Sequence, residues 1–208
     1  MLFVFLFLLT TSLYSSEDGV QPYEQKYEQA LLALARPHIF CLASTFTYTE
    51  QERDELVKSQ VLFLLKETST GKRYAARVYM HQGKPVGFIT YGVKDPWYKK
   101  ILPQEVNREI GPDAMLHHLV VHDSYAGKGY GRALVKHAFE DLKKKQVNKI
   151  DVWTTGVCDR KVEDFYCGFG FDLTWHTKFH DRRYTLRLQP HPLVIVAQYM
   201  LRIVKKVR

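Results

Sequence analysis

Three glycines at two-residue spacing are the first feature of this sequence that could do chemistry. Gly127, Gly129 and Gly131 follow an apolar stretch at residues 116–121, which predicts a buried strand. A helix is predicted after the glycines, because apolar side chains recur at helical spacing at Leu134, Val135, Ala138, Phe139 and Leu142. Glycines permit a sharp turn with exposed N–H groups, and the helix dipole makes the N-terminus of the helix positive. The pattern indicates a phosphate-binding turn; a tight turn for close strand–helix packing is the alternative.

Two common phosphate-binding motifs are excluded at this turn. A dinucleotide fingerprint, G-x-G-x-x-G, would need glycine at position 132, where the chain has Arg132. A P-loop needs G-x-x-x-x-G-K-[ST], and the chain contains no such string. The ligand of the turn is therefore expected to be another phosphate compound.

A second string downstream combines a helix pattern with a tyrosine. Asp159, Val162, Tyr166, Gly170 and Phe171 form the pattern D-x-x-V-x-x-x-Y-x-x-x-G-F. Asp159 is typical of a helix N-cap, and the spacing predicts a short helix with a buried stripe of Val162, Phe165, Tyr166 and Phe169. A tyrosine phenol carries a proton at neutral pH and can donate it. Tyr166 is thus either a proton donor or a core residue.

In order and spacing, the two strings resemble motifs of the GNAT superfamily of acyl-CoA-dependent N-acetyltransferases. In the family pattern [QR]-x-x-G-x-[GA], Gly129 and Gly131 occupy the two small positions, whereas Ala126 stands where glutamine or arginine is usual. The resemblance covers residues 73–188. It implies an α/β fold, with a mixed, mostly antiparallel central sheet flanked by helices and a V-shaped gap between the central strands. It further implies acetyl transfer in a ternary complex, from acetyl-CoA as co-substrate to a primary amine of an unidentified small molecule or protein, without a metal.

The resemblance also implies which residues bind the donor. Main-chain N–H groups of residues 127–132 would hold the diphosphate, and Lys128 and Arg132 would add positive charge. Leu119, Val120 and Val121 would bond the pantetheine arm through their main-chain groups. The complete predicted donor set is Leu119, Val120, Val121, Ala126, Gly127, Lys128, Gly129, Tyr130, Gly131, Arg132 and Asp159.

Acetyl transfer to nitrogen requires a base for the amine proton, donors for the carbonyl oxygen and a proton for the departing thiolate. Tyr166 matches the family tyrosine that protonates the thiolate. His117 and His118 lie on the central strand, where the family often places an acidic base or recruits a water. Because side chains alternate along a strand, we expect at most one of these histidines to face the cleft.

Other interpretations of the base remain open at the sequence level. One histidine could be a core residue with satisfied hydrogen bonds and the other incidental. His122 is a further candidate, and an acidic residue could serve instead, namely Glu105, Glu109 or Asp113.

Two helices are predicted before the motifs. The first covers residues 23–34 and ends at Pro37, after which residues 37–47 are interpreted as a strand. Thr49 and Glu52 form a capping box for the second helix. Its buried face is predicted to contain Leu56 or Val57, then Val61, Leu64 and Leu65.

The strands around the motifs are predicted from alternating apolar residues. Two strands at residues 73–80 and 85–93 flank a short turn, a third covers residues 149–155, and residues 173–188 form a terminal hairpin. The long segment 94–112 is either an insertion beside the acceptor site or a surface excursion.

With 208 residues, the chain suits one domain, which we predict to be an N-acetyltransferase domain at residues 22–190. The net charge of +8 fits an anionic ligand such as coenzyme A, and no nucleic-acid partner is expected. The three cysteines fit no zinc pattern and are interpreted as reduced thiols. Oligomeric state is not predicted.

The two ends of the chain carry separate predictions. Residues 1–16 resemble a signal peptide or hydrophobic anchor, although a mis-assigned start or an apolar strand would give the same letters. Residues 191–208 form a basic amphipathic helix that suits a membrane surface, packing on the domain or dimerisation. Acyl-CoA chemistry favours a cytoplasmic location, and the N-terminal segment favours secretion or membrane association. The competing function is a catalytically inactive CoA-binding regulatory module or a membrane-tethered interaction module.

Overall fold

The computed structural model describes residues 18–40, 49–69, 73–94, 112–154, 160–176 and 182–188, and these contain a seven-stranded sheet. The strands are β1 Gly19–Pro22, β2 Tyr74–His81, β3 Lys84–Lys94, β4 Asp113–Val121, β5 Lys149–Thr154, β6 Asp172–His176 and β7 Arg182–Arg187. Their order is β1-β2-β3-β4-β5-β7-β6, and neighbours are antiparallel except β4 and β5, which are parallel. The predicted mixed, mostly antiparallel sheet is confirmed.

Helices cover both faces of this sheet. They are α1 Glu28–Phe40, α2 Glu50–Val57, α3 Phe63–Ser69, α4 Tyr130–Lys144 and α5 Arg160–Cys167. Helices α1 to α3 share one core with β2 and β3, formed by Leu31, Ala35, Val57, Val61, Leu65, Ala76, Val78 and Phe88 among others. Helices α4 and α5 cover the opposite face through Leu134, Val135, Ala138, Leu142, Tyr166, Ile89, Leu116 and Ile150.

The central strands diverge along their length. Pairing between β4 and β5 joins Asp113–Leu116 with Lys149–Val152. Beyond Leu116, β4 continues to Val121 in register with β3, and β5 continues to Thr154 in register with β7. Because the two strands pair only at one end, a V-shaped gap opens between them, as predicted.

The first helix differs from its prediction at both ends. A 3-10 turn at Gln25–Tyr27 precedes α1, which begins at Glu28 and continues past Pro37 to Phe40. The Ala33 carbonyl has no helical hydrogen-bond donor, because Pro37 lacks an N–H group. Ala33 and Pro37 are both exposed, so water can bond to that carbonyl. The predicted end at Pro37 is therefore wrong, and residues 37–40 are not a strand. Residues 41–48 lie outside the described part of the chain.

The capping box before the second helix is confirmed. The Glu52 N–H donates to Thr49 Oγ1 at 3.3 Å, and the Thr49 N–H donates to Glu52 Oε2 at 2.7 Å. The buried face contains Val57, Val61, Leu64 and Leu65, as predicted. The sequence did not predict the π-helical turn Lys58–Leu62 that separates α2 from α3. It also did not predict strand β1.

Three predictions for the ends and the insertion are not addressed by the described residues. Residues 1–16, 191–208 and 95–111 all lie outside them. Within the described ranges, no helix is long and apolar enough to cross a bilayer.

A polar bridge ties the sheet to α4. Arg77 on β2 donates to Asp141 Oδ2 at 2.9 and 2.6 Å, and the Tyr91 hydroxyl on β3 donates to the same oxygen. Burial alone would raise the pKa of Asp141, but the hydrogen bonds from Tyr91 and Arg77 outweigh it and hold that pKa below its ordinary value. Burial, together with this carboxylate, raises the pKa of the Tyr91 phenol.

We expect Asp141→Asn to lower the free energy of unfolding by about 2 kcal/mol at neutral pH, because it weakens hydrogen bonds to a charged group. Because the folded-state pKa of Asp141 is depressed, its contribution is present at neutral pH and is lost as pH falls through that pKa. Urea unfolding down to about pH 3 should therefore show a smaller acid-induced loss in the variant. Glu140→Gln, at an exposed neighbour, is the control; equal effects of the two substitutions would contradict this prediction.

Candidate active site

The glycine turn lies between the end of β4 and the start of α4. A 3-10 turn at Asp123–Tyr125 follows His122, and Gly127 and Gly129 then adopt φ of 76° and 84°. A Cβ at either glycine would meet nothing within 4 Å. The left-handed backbone, not crowding, therefore requires glycine at these two positions.

The turn presents main-chain donors at the start of α4. The Ala133 N–H bonds to the Gly129 carbonyl at 3.0 Å, which closes the first turn of the helix. The N–H groups of Tyr130, Gly131 and Arg132 precede this bond, where helix geometry provides no intrahelical acceptor. A helix start with such donors fits a diphosphate. Lys128 and Arg132 add charge, and their cationic groups lie 4.8 Å from the Tyr125 ring and 4.9 Å from the Phe169 ring.

A cavity of about 720 Å³ occupies the gap between β4 and β5 and extends to this turn. Of the predicted donor residues, Leu119, Val120, Val121, Ala126, Gly127, Gly129, Tyr130, Gly131 and Arg132 all line it. Lys128 is not part of the lining, and Asp159 lies outside the described residues. The open turn and the adjoining gap fit a long phosphorylated ligand.

Tyr166 reaches the cavity from α5. The residue is only 7% exposed, and its ring packs against the rings of Tyr184 at 5.6 Å, Phe171 at 5.7 Å and Phe165 at 5.2 Å. The Phe171 N–H also bonds to the Tyr166 carbonyl at 3.2 Å. Aromatic packing therefore holds Tyr166 on the wall of the gap.

A β-bulge in β4 changes the predicted position of the histidines. Thr90 of β3 pairs with His118, but the next residue, Tyr91, pairs with Leu116, so His117 is the extra residue. Leu116 and Leu119 on either side both pack into the α4 core. Because the bulge interrupts the alternation of side chains along β4, both histidines lie on the face of the sheet that α1 to α3 cover.

Contacts on that face confirm this placement. The His117 ring lies 5.6 Å from the Tyr74 ring, and His118 Nδ1 lies 3.1 Å from Thr90 Oγ1. Tyr74 and Thr90 belong to the side of β2 and β3 that α1 to α3 cover. The expectation that the two histidines point to opposite faces, based on strict alternation, is wrong. Both line the cavity.

The two histidines differ in their electrostatic surroundings. Burial, reinforced by neighbouring His117, lowers the pKa of His118 to about 4. Burial and the positive charge of Lys94 also lower the pKa of His117. Both rings are therefore neutral at physiological pH.

The other predicted bases have structural roles or lie outside the described residues. His122 Nδ1 accepts a hydrogen bond from the Ser124 N–H at 3.2 Å and so caps the 3-10 turn. Asp113 is buried at the closed end of the gap, 3.6 Å from Lys149 Nζ, and burial raises its pKa. Glu105 and Glu109 are outside the described ranges.

Sequence reasoning assigned no site role to several residues of β5 and α5 that line the cavity. Trp153 and Thr154 end β5, and Lys161 lies in the first turn of α5. A cation in the first turn opposes the helix dipole, so Lys161 was a detectable sign of a nearby anion. For the two β5 residues the sequence offers no such sign. No metal-binding cluster of three or more His, Cys, Asp or Glu occurs among the residues that the structure describes.

Comparisons with known proteins agree with this geometry. The model of the acetyltransferase (GNAT) family matches residues 28–171. An uncharacterized N-acetyltransferase of Methanocaldococcus jannaschii is 32% identical over 90 residues, which is 43% of this chain and only 35% of that protein's length.

Solved structures show the same fold. The PaiA N-acetyltransferase of Thermoplasma acidophilum, crystallised with coenzyme A, aligns with a TM-score of 0.62 and 15% identity over 81% of this chain and 97% of its own. The ribosomal-protein-alanine N-acetyltransferase of Brucella melitensis aligns with a TM-score of 0.56 and 16% identity over 81% and 99%. At such identities the likeness concerns the fold alone.

The glycine turn allows a paired test. We expect Gly129→Ala to destabilise the protein by about 1–2 kcal/mol, because alanine is strained at positive φ. Gly131→Ala should change stability little, since its Cβ would meet Val121 and Phe165 at an ordinary 3.7–3.8 Å. Urea unfolding of both variants tests the prediction, and a larger loss for Gly131→Ala would contradict it.

Proposed function

The chain belongs to the acetyltransferase (GNAT) family, and from this premise we propose that it transfers an acetyl group from acetyl-CoA to an amine nitrogen. The observation that carries the proposal is the cavity between β4 and β5, which joins the glycine turn to Tyr166, His117 and His118 in one space. The match of the family model to residues 28–171 confirms the sequence resemblance to this family, and the roles of individual residues are the proposal.

The donor side of the site uses main-chain groups. The first-turn N–H groups of α4 would bind the diphosphate, and Arg132 and Lys161, which line the same cavity, would add positive charge. Beyond Leu116, β4 no longer pairs with β5. The main-chain groups of β4 that point toward β5 can therefore form hydrogen bonds with the extended pantetheine arm. Acetyl-CoA supplies the activated acetyl group.

Tyr166 would act as the proton donor and His117 as the proton acceptor. Tyr166 lies on the wall formed by α5 and can donate its phenolic proton to the departing sulfur. His117, neutral and on the bulge, can accept the proton that the amine nitrogen loses. His118 is the weaker base, because its Nδ1 contacts Thr90 and its pKa lies further below the ordinary histidine value. We therefore assign the base role to His117.

A binding module without transfer activity is the alternative outcome. It is favoured by Ala126, which provides no side-chain hydrogen bond at the glutamine or arginine position of the family pattern. Calorimetry with coenzyme A, followed by thiol release from acetyl-CoA with a panel of amines, separates the two functions. Binding without release would indicate the module, and absence of binding would reject the proposed donor.

Tyr166→Phe should lower kcat by about tenfold or more while the Kd for coenzyme A changes little, because only the proton donor is removed. Tyr184→Phe is the matched control, since Tyr184 stacks on Tyr166 but does not line the cavity. Steady-state kinetics and calorimetry measure both effects. Unchanged kcat in Tyr166→Phe would remove this residue from the mechanism.

The base assignment predicts a specific pH dependence. kcat/KM should fall as pH drops through the pKa of His117, because a protonated imidazole cannot accept a proton. Lys94→Gln removes a nearby positive charge, so this pKa should rise and the acid limb should move to higher pH by about 0.5 unit. Lys84→Gln, at the other end of β3, should leave the limb in place. If the acid limb lay at the same pH in both variants, His117 would be excluded as the titrating base.

A further inference from the structure

A row of aromatic rings extends from solvent to the bulge on the α1–α3 face. The Tyr74 ring lies 5.6 Å from the His117 ring, and the Phe63 ring lies 6.3 Å from the Tyr74 ring at an angle of 69°. Phe63 is 55% exposed although it is a large apolar residue. It directly follows the π-helical turn, a distortion that often marks functional sites. We call Phe63, Tyr74 and His117 the aromatic row.

The position of Tyr74 depends on a glycine in the neighbouring strand. Tyr74 pairs with Gly92 across β2 and β3, and a Cβ on Gly92 would lie 2.5 Å from Tyr74 Cδ1. No side chain other than hydrogen fits there without moving the ring. A glycine inside a strand that admits such close approach indicates that the ring position is specified.

The charged residues that the structure describes in the cavity wall are cations. Among the described residues that line it, none is aspartate or glutamate, whereas Arg132 and Lys161 are both present. Lys94 is also close enough to lower the pKa of His117. An alkylammonium ion would therefore meet the like charges of Arg132 and Lys94.

Acidic residues at the closed end of the gap are already paired. Asp151 Oδ2 lies 2.6 Å from Arg183 Nη2 and 3.0 Å from Lys149 Nζ, and its Oδ1 accepts from Thr185 at 2.7 Å. Burial alone would raise the pKa of Asp151, but these hydrogen bonds lower it. Its negative charge is thus compensated within the protein.

The base adds a chemical constraint. A histidine whose pKa is depressed accepts a proton readily only from a nitrogen that holds its own proton weakly. An aromatic amine satisfies this condition, because it is uncharged at neutral pH and its nitrogen loses a proton easily once it has attacked a carbonyl. Its flat ring can also pack against the aromatic row, which meets the cavity at His117.

We propose that the acceptor is an uncharged aromatic amine whose ring packs along the aromatic row with its amino nitrogen beside His117. This inference rests on the proposed acetyl transfer. The nitrogen lone pair forms a bond to the acetyl carbon, and the carbon–sulfur bond breaks with its electron pair going to sulfur. Tyr166 supplies a proton to sulfur, and His117 takes one from nitrogen.

Aniline and benzylamine provide a matched test, because both carry a phenyl ring but only benzylamine is a cation at neutral pH. Aniline should bind to the protein loaded with coenzyme A, as measured by saturation-transfer NMR and calorimetry, and should be acetylated with the higher kcat/KM. Tighter binding and faster acetylation of benzylamine would overturn the acceptor class while leaving acetyl transfer intact. Failure to bind coenzyme A would reject the proposed function itself, and this inference with it.

Two substitutions test the location of the ring. Phe63→Leu and Gly92→Ala should each weaken aniline binding by about threefold to tenfold, with an unchanged Kd for coenzyme A. Because Phe63 is exposed, Phe63→Leu should leave the fold intact. The test therefore remains valid even if Gly92→Ala misfolds. Leu173→Ala, at an exposed apolar residue of β6, is the control and should have no effect. Unchanged aniline binding in Phe63→Leu would overturn the assignment of the row.

Discussion

The separation of β4 from β5 is the constraint on which the site depends. Parallel pairing ends at Leu116 and Val152, yet both strands continue and remain bonded to β3 and β7 on their outer sides. Because a strand directs its main-chain groups alternately to its two neighbours, the inner sides of both strands are left to a ligand. The glycine turn directly follows the open end of β4, so a ligand in the gap can also contact the start of α4.

The gap also places the proposed acid and the proposed base on opposite faces of one sheet. Tyr166 belongs to the core beneath α4 and α5, whereas His117 and His118 contact Tyr74 and Thr90 on the α1–α3 face. The bulge is responsible, because it turns two consecutive side chains to the same face. In the proposed mechanism, a substrate in the gap therefore receives a proton from one face of the sheet and loses one to the other.

The charged groups differ between the two ends of the gap. At the closed end, the Asp113 and Asp151 carboxylates lie 3.6 and 3.0 Å from Lys149 Nζ. At the open end, main-chain donors and the cations Arg132 and Lys161 prepare the cavity for an anionic donor. The histidines between these ends are half-buried, and their lowered pKa values keep them neutral. This arrangement is the basis on which we propose an uncharged acceptor instead of an ammonium ion.

What the sequence determined was local. Glycine spacing, the apolar periodicity of α4 and the position of Tyr166 specified the turn, its helix and the acid candidate, because backbone preferences act over neighbouring residues. Tertiary structure decided the rest. The bulge at His117, the approach of Tyr74 to Gly92 and the position of Lys161 in the cavity wall each depend on contacts between elements distant in the chain. Pairing register is set by packing of the whole sheet, so no local pattern could reveal which face the two histidines share.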